Sequence, residues 1–367
     1  MTAEFQIAVF AGDGIGREVM AACLAVLEAL ERRIGGYRLR TESLPGGAAL
    51  YRDTGTALSD ENFKKAEAAD AILFGAMGLP DVRYPDGTEI APHLEMRRTF
   101  GLFAGVRPVK AYPKTRAPLA DPRAAEIDLI ILRESTEGLF ASRGKGTVED
   151  DREARDVLVI TRATCERLFD FAFELARRRR ERGGKGRVTC VDKANVFASM
   201  AFFRKVFDER AARFPGIAAD HHYVDAAALD LVRKPWEFDV LVMENMFGDI
   251  LSDLGAGLVG GMGMAPCAEI GERHGLFQPA HGSAPDIAGT DQANPTAMLL
   301  SAALMLDWLG ARRGIERCRE AAEHLEHTIA SGFRTRALHP IEQGGAQTTS
   351  QMARAVIELL QRGAGAG

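Results

Sequence analysis

The chain has 367 residues, 46% apolar and 26% charged, with a formal net charge of −5. This balance fits a globular enzyme of about two domains and excludes a disordered or fibrous chain. It also supplies no overall basic field for nucleic acid or an anionic membrane.

The five cysteines (Cys23, Cys165, Cys190, Cys267, Cys318) are scattered and form no C-x-x-C pair, so neither a zinc site nor a disulfide framework is supported. They read as small buried hydrophobes of a reducing compartment. No basic segment followed by an apolar one opens the chain. No apolar run reaches the ~18–20 residues of a membrane span. A cytoplasmic protein is expected.

In chain order, the apolar run 6–10 predicts a strand, and Gly12-Asp-Gly-Ile-Gly16 then opens a helix from about Arg17 to Arg32. Further strands are predicted at 71–75, 102–111, 129–133, 188–191 and 240–243, with helices at 163–180, 195–213, 225–232, 295–309 and 315–331. Alternating strands and helices predict an α/β sheet covered on both faces. The basic run Arg177 to Arg180 reads as a solvated helix C-terminus. The Gly/Ala-rich tail 362–367 is expected to fray. The glycines at 12, 14 and 16 are spaced G-x-G-x-G, not G-x-G-x-x-G, so they do not make a Rossmann fingerprint. No G-x-x-x-x-G-K-[ST] loop occurs.

Five segments carry potential chemistry. In Asn245-Met-Phe-Gly-Asp249-Ile-Leu-Ser-Asp253, a helix would set Asp249 and Asp253 on one face, one turn apart. Two adjacent aspartates repel, and an oxygen-only site of this kind suits Mg²⁺ or Mn²⁺ rather than zinc. Arg97, Arg98, Arg107 and Arg133 supply guanidinium forks that bind carboxylates, although each alone also reads as a surface or ion-pair residue. Val191-Asp-Lys193-Ala-Asn195 puts a lysine and an asparagine at a strand end, where open α/β sheets place ligands. A lysine there is a candidate base or an ordinary surface lysine. Asp225 is a third metal ligand or a helix cap. His281-Gly-Ser-Ala-Pro-Asp286-Ile-Ala-Gly289 reads as a backbone-rich ligand loop.

Together, N-x-F-G-D-I-L-S-D, V-D-K-A-N-V and H-G-S-A-P-D-I-A-G closely resemble the decarboxylating 2-hydroxyacid dehydrogenases of the isocitrate/isopropylmalate dehydrogenase family, which includes homoisocitrate, tartrate and D-malate dehydrogenases. The resemblance runs from Gly12 to about Ile357. It implies a two-domain α/β fold with a central cleft, not a Rossmann fold. The first domain would join residues 1–103 to 262–367, and the second, carrying the dimer contact, would span 104–261.

The resemblance further implies roles residue by residue. Arg97, Arg107 and Arg133 would hold the malate carboxylates. Asp225, Asp249 and Asp253 would bind Mg²⁺ or Mn²⁺. Lys193, with Asp225, would take the hydroxyl proton, and both would reach into the partner subunit's site in a homodimer. Asn195 would lie near nicotinamide. His281, Gly282, Ser283, Ala284, Asp286 and Ile287, with Asn294 beyond, would form the adenosine site. The carboxylate of Asp286 would accept hydrogen bonds from ribose hydroxyls and repel a 2′-phosphate, which implies NAD.

The chain also departs from that pattern. In R-E-x-T-x-G-x-Y the final tyrosine is assigned to protonating the enolate, and here the position is Phe140. A phenylalanine has no proton to give, and losing a general acid costs about 10²–10⁴-fold. The reading is therefore oxidative decarboxylation of a 3-substituted malate, isopropylmalate-like or tartrate/D-malate-like. The alternatives are a member that binds without turnover and one that oxidises without decarboxylating. His93 interrupts the apolar surface before Arg97, Gln278 replaces a glutamate, and Gly260-Gly-Met-Gly263 replaces Gly-Ser-Leu-Gly.

Overall fold

The computed structural model describes residues 2–362, and residues 363–367 of the expected frayed tail lie outside them. The chain divides into two compact units. One comprises Met1–Phe100, Tyr112–Arg116 and Val259–Gly367, and the other Gly101–Ala111 and Ala117–Leu258.

The first unit opens with β1 (Ala3–Gly12), α1 (Gly16–Ile34), β2 (Tyr37–Ser43), α2 (Ala48–Thr54), α3 (Asp60–Ala68), β3 (Ala71–Ala76) and α4 (Pro92–Thr99). The second carries β4 (Ala104–Lys110), β5 (Asp128–Glu134), the short pair β6 (Thr147–Glu149) and β7 (Glu153–Arg155), α5 (Arg162–Glu181), β8 (Arg187–Asp192), α6 (Ala198–Ala211), β9 (Ala218–Tyr223), α7 (Val224–Arg233), β10 (Val240–Met243) and α8 (Asn245–Leu258). The chain then returns to the first unit for β11 (Pro266–Ile270), β12 (Gly275–Pro279), α9 (Thr296–Arg313), α10 (Glu316–Thr335) and α11 (Thr349–Arg362).

Strand order in the first unit is β2-β1-β3-β12-β11. All pairs are parallel except β11 with β12. Strand β3 is buried at every position, as a parallel strand covered on both faces requires. Helix α1 buries Val19, Met20, Cys23, Val26, Leu27 and Leu30, the three- and four-residue spacing of one helix face.

The second unit has the order β4-β5-β10-β8-β9, with only β4 and β5 antiparallel. Its core packs α5 and α6 through Phe169, Phe173 and Phe207, with Phe207 edge-on to Phe169 and stacked on Phe173.

Two expectations need correction. Helix α6 starts at Ala198, so Asn195 lies in the turn after β8 rather than on the helix. The basic run at the end of α5 is not simply solvated. Arg179 Nε donates to the buried Asp239 at 2.6 Å and its Nη2 reaches Asp128, because the strand-start acids need a counter-charge. All five cysteines are buried thiols, and none is in a disulfide. Among the described residues no helix is long and apolar enough to cross a membrane.

Candidate active site

Three neighbouring strands of the second unit, β5, β10 and β8, lead into buried acids: Glu134, Glu244 and Asp192. Backbone N–H groups just past a strand end have no ladder partner, and a buried one must find another. Here the acids accept them. Glu134 accepts from the N–H groups of Thr136 (2.6 Å) and Glu137 (2.7 Å). Glu244 accepts from Met246 (3.1 Å) and Phe247 (2.8 Å), closing the start of α8. Asp192 accepts from Ala194 at 2.8 Å and is held by both arms of Arg204. Burial pushes the Glu134 carboxyl up to about 7, the hydrogen bonds from Thr136 and Glu137 opposing it. Burial also raises the Glu244 carboxyl.

These turns fix the side chains beside them. Asn245, immediately after Glu244, accepts from Arg133 Nε (2.9 Å) and Nη2 (2.7 Å) and donates to the Glu137 carbonyl at 2.9 Å. Arg133 Nη1 bonds Asp249. Helix α8 can come this close because residue 248 is glycine: a Cβ there would lie 2.5 Å from Arg133 Cβ. Asp253 follows Asp249 by one turn of α8. Burial raises its carboxyl, as does the charge of Asp249, while Arg107 and Arg133 pull it down. Arginines and aspartates thus offset one another across β4, β5 and α8. The Phe140 ring lies against the Arg133 guanidinium, 4.8 Å from its carbon, so the aromatic face is kept where the hydroxyl is lost.

Lys193, in the turn after β8, donates to Asp225 in the first turn of α7 at 2.5 Å. This bond holds the Asp225 carboxyl below its ordinary value. Asn195 is exposed beside them.

In the first unit the His281–Gly289 loop rests on the glycine turn between β1 and α1. Ile15 N–H donates to the Ser283 carbonyl at 2.8 Å, and Gly289 N–H donates to Glu18. Gly14 has a positive φ of 51°, and a Cβ there would meet the Ser283 carbonyl oxygen at 2.0 Å. The motif therefore serves close approach of two loops. Asp13, only 1% exposed, accepts from Ala48, Ala49 and Gly78 N–H at 2.7, 2.9 and 2.9 Å. Ser283 Oγ in turn donates to the Gly78 carbonyl at 2.5 Å.

Elsewhere in the loop, Gly282 and Asp286 are exposed, Ala284 takes a positive φ of 38°, and Ile287 N–H closes back on the Ala284 carbonyl. His281 Nε2 is buried without a hydrogen-bond partner among the described residues, and burial lowers that ring's pKa. The Asn294 side chain is committed inward, donating to Glu342 at 2.8 Å and accepting from Thr296.

Arg97, buried on α4, pairs through Nη2 with Glu269 Oε1 of β11 at 2.7 Å. Arg98 is exposed. His93 stands edge-on to Phe74 at 5.7 Å. Gln278 is buried on β12.

Within the second unit the structure brings together Arg107, Arg133, Asp249 and Asp253, and separately Lys193 with Asp225. Among the described residues no three His, Cys, Asp or Glu side chains gather as a metal cage. One chain offers the aspartate pair on α8, and the expected third ligand, Asp225, is one that a second subunit would bring. The sequence reading assigned no role to Asn245, Glu134, Glu244, Asp192, Asp13, Glu18, Glu269 or Glu342. An acid closing an apolar strand run was the available signal for Glu134, Asp192 and Glu244.

Known proteins are similar to this chain over nearly its whole length. The family profile described as isocitrate/isopropylmalate dehydrogenase matches residues 6–356. A 3-isopropylmalate/3-methylmalate dehydrogenase from Methanocaldococcus jannaschii is 42% identical over 97% of this chain and 99% of its own length. A 3-isopropylmalate dehydrogenase from Moorella thermoacetica is 41% identical over 91% of this chain and 93% of its own. Among solved structures, an isocitrate dehydrogenase from Methylococcus capsulatus superposes with TM-score 0.84 at 33% identity, covering 97% of this chain and 99% of that one. With the acidic helix, the lysine turn and the His281 loop all in place, the chain belongs to the isocitrate/isopropylmalate dehydrogenase family of decarboxylating dehydrogenases.

Proposed function

We propose that the protein oxidises and decarboxylates a 3-substituted malate, using NAD and Mg²⁺ or Mn²⁺. The observation that carries this reading is the Arg133–Asn245–Asp249 contact, which sets a carboxylate-binding guanidinium against an acidic pair suited to a divalent cation. The 3-alkylmalate side is favoured over tartrate by the names of the relatives.

The residues fit both a divalent cation and NAD. Asp249 and Asp253 are oxygen donors one turn apart, and their mutual repulsion is what a cation relieves. Asp286 is an exposed carboxylate without a partner among the described residues, suited to ribose hydroxyls, and the unpartnered His281 Nε2 is suited to a nucleoside. When bound, NAD supplies the hydride acceptor and the cation draws off negative charge developing on the substrate oxygen.

The chain's own part is binding and proton handling. Arg97, Arg107 and Arg133 hold the carboxylates. Lys193, oriented by Asp225, takes the hydroxyl proton directly or through water. The C3 carboxyl leaves as CO₂, and its electron pair stays with the substrate until C3 is protonated. Phe140 cannot supply that proton, which leaves it to water or to another side chain.

We further propose a homodimer. Leu229, Val232 and Ile250 on α7 and α8 are exposed by 54%, 46% and 60%, an apolar group suited to a second copy. A dimer would also let Lys193 and Asp225 complete the partner's acidic pair.

The test is NADH formation by the purified protein with Mn²⁺ across 3-isopropylmalate, D-malate and tartrate, beside Asp249→Asn. Activity on one substrate that disappears in Asp249→Asn is expected. Full activity in that variant would remove the metal assignment.

A further inference from the structure

Arg97 is paired with an acid of its own unit. Arg97 is one of the guanidiniums assigned to the substrate, and Glu269 Oε1 lies 2.7 Å from its Nη2. Glu269 is fully buried, at 0% exposure, and the Arg97 side chain is only 7% exposed. A buried ion pair is screened far less than a surface one, so the negative charge of Glu269 is felt nearly undiminished at Arg97. Position 97 is therefore close to electrically neutral. It still has donor capacity: Arg97 Nε is buried and has no hydrogen-bond partner among the described residues. A donor left without a partner is costly, which favours a ligand oxygen there. Arg97 thus offers one hydrogen bond and little net charge, where an unpaired guanidinium would offer a full positive charge.

We propose that Glu269 is a specificity-determining residue that restricts the substrate to a dianion. By cancelling the charge of Arg97 it leaves too little positive charge for a third carboxylate on the C3 substituent. The favoured substrates are malates whose C3 group is alkyl or hydroxyl, and tricarboxylates are disfavoured. This rests on the dehydrogenase reading above and narrows its substrate class.

The test compares 3-isopropylmalate, a dianion, with isocitrate, a trianion, in wild type and in Glu269→Gln. Turnover is followed by NADH with Mn²⁺, and binding by calorimetry on the full-length protein. Gln keeps the shape and removes the charge. Any added positive field helps both ligands through their shared malate carboxylates, so the ratio of dissociation constants isolates the third one. Wild type is expected to bind isopropylmalate at least about tenfold more tightly than isocitrate. In Glu269→Gln that ratio should move toward isocitrate by on the order of 10- to 100-fold, as one uncompensated charge in a partly screened site allows. Glu269→Asp, which keeps the charge, should stay near the wild-type ratio.

Turnover of isopropylmalate with a ratio unmoved in Glu269→Gln would overturn the inference and leave the dehydrogenase reading standing. Binding of neither ligand by wild type would overturn both. If Glu269→Gln does not fold, the wild-type preference decides: equal affinity for the two ligands refutes the proposal.

Discussion

Gly248 separates two effects of a single methyl group. In an open helix, Ala improves on Gly by about 1 kcal/mol. At position 248 the new Cβ would lie 2.5 Å from Arg133 Cβ and 2.6 Å from its Cγ. That is roughly 1 Å inside ordinary carbon contact of about 3.5–4.0 Å. The atoms it meets are the root of a buried side chain, not a flexible tip, so α8 and β5 must part. Overpacking of this kind costs about 1–3 kcal/mol. Gly248→Ala is thus expected to be destabilised by about 0–2 kcal/mol after the helix gain is subtracted. The larger effect should be on turnover. Moving Arg133 and Asp249 by about 1 Å is expected to lower kcat/KM on the order of 10²-fold.

Gly257, in the same helix, has nothing within 4 Å of its Cβ position and serves as the control. Gly257→Ala should gain a few tenths to about 1 kcal/mol and keep full activity. Urea midpoints and NADH rates on both variants settle the matter. If Gly248→Ala matched Gly257→Ala in stability and turnover, close packing of α8 would not be what sets Arg133.

Three other outcomes are expected. The raised Glu134 carboxyl means that its stabilising contribution is complete below about pH 4.5 and is lost as pH rises through about 7. Relative to Glu134→Gln, wild type should therefore lose up to about 3.5 kcal/mol across that window in denaturant titrations, at about 1.4 kcal/mol per pH unit; parallel pH profiles would refute the assignment. Asp13→Asn removes acceptor capacity beneath the His281 loop and should raise KM for NAD about tenfold while moving the malate KM less; equal changes in both would point to general unfolding. Phe140→Tyr restores a proton donor against Arg133 and should raise kcat by up to about 10²-fold, whereas an unchanged rate would mean that water already protonates C3 without limiting turnover.

The apolar strands were legible because burial on both faces leaves an unbroken hydrophobic run; 240–243 matches β10 residue for residue. The polar strands were not. β2 reads Tyr-Arg-Leu-Arg-Thr-Glu-Ser and β9 reads Ala-Ala-Asp-His-His-Tyr, and both stand at the end of their unit's strand order, mostly exposed. Nothing local shows that β4 pairs with β5, or β11 with β12, antiparallel, since pairing direction is set by chain connections far away in sequence. The α8 aspartates, the lysine turn and the ligand loop were legible as motifs. Their supports were not, because an acid such as Glu269 looks like any surface residue until burial is known.

The way the chain returns to its first unit has a consequence for synthesis. Strand β3 pairs through Ile72 and Leu73 with Leu276 and Phe277 of β12, about two hundred residues later. Helix α1 packs against α11, at the far end of the chain. On the ribosome, β3 emerges as a fully apolar strand whose β12-facing edge stays open until the second unit has been made. Such an edge is a template for pairing with other nascent chains. The second unit, in contrast, has all five of its sheet strands by residue 243. Ribosome-bound chains halted far enough past residue 260 for α8 to clear the exit tunnel, but short of exposing β12, should therefore protect the second unit from protease while the first unit is cut, and release from the ribosome at that length should favour aggregation through β3.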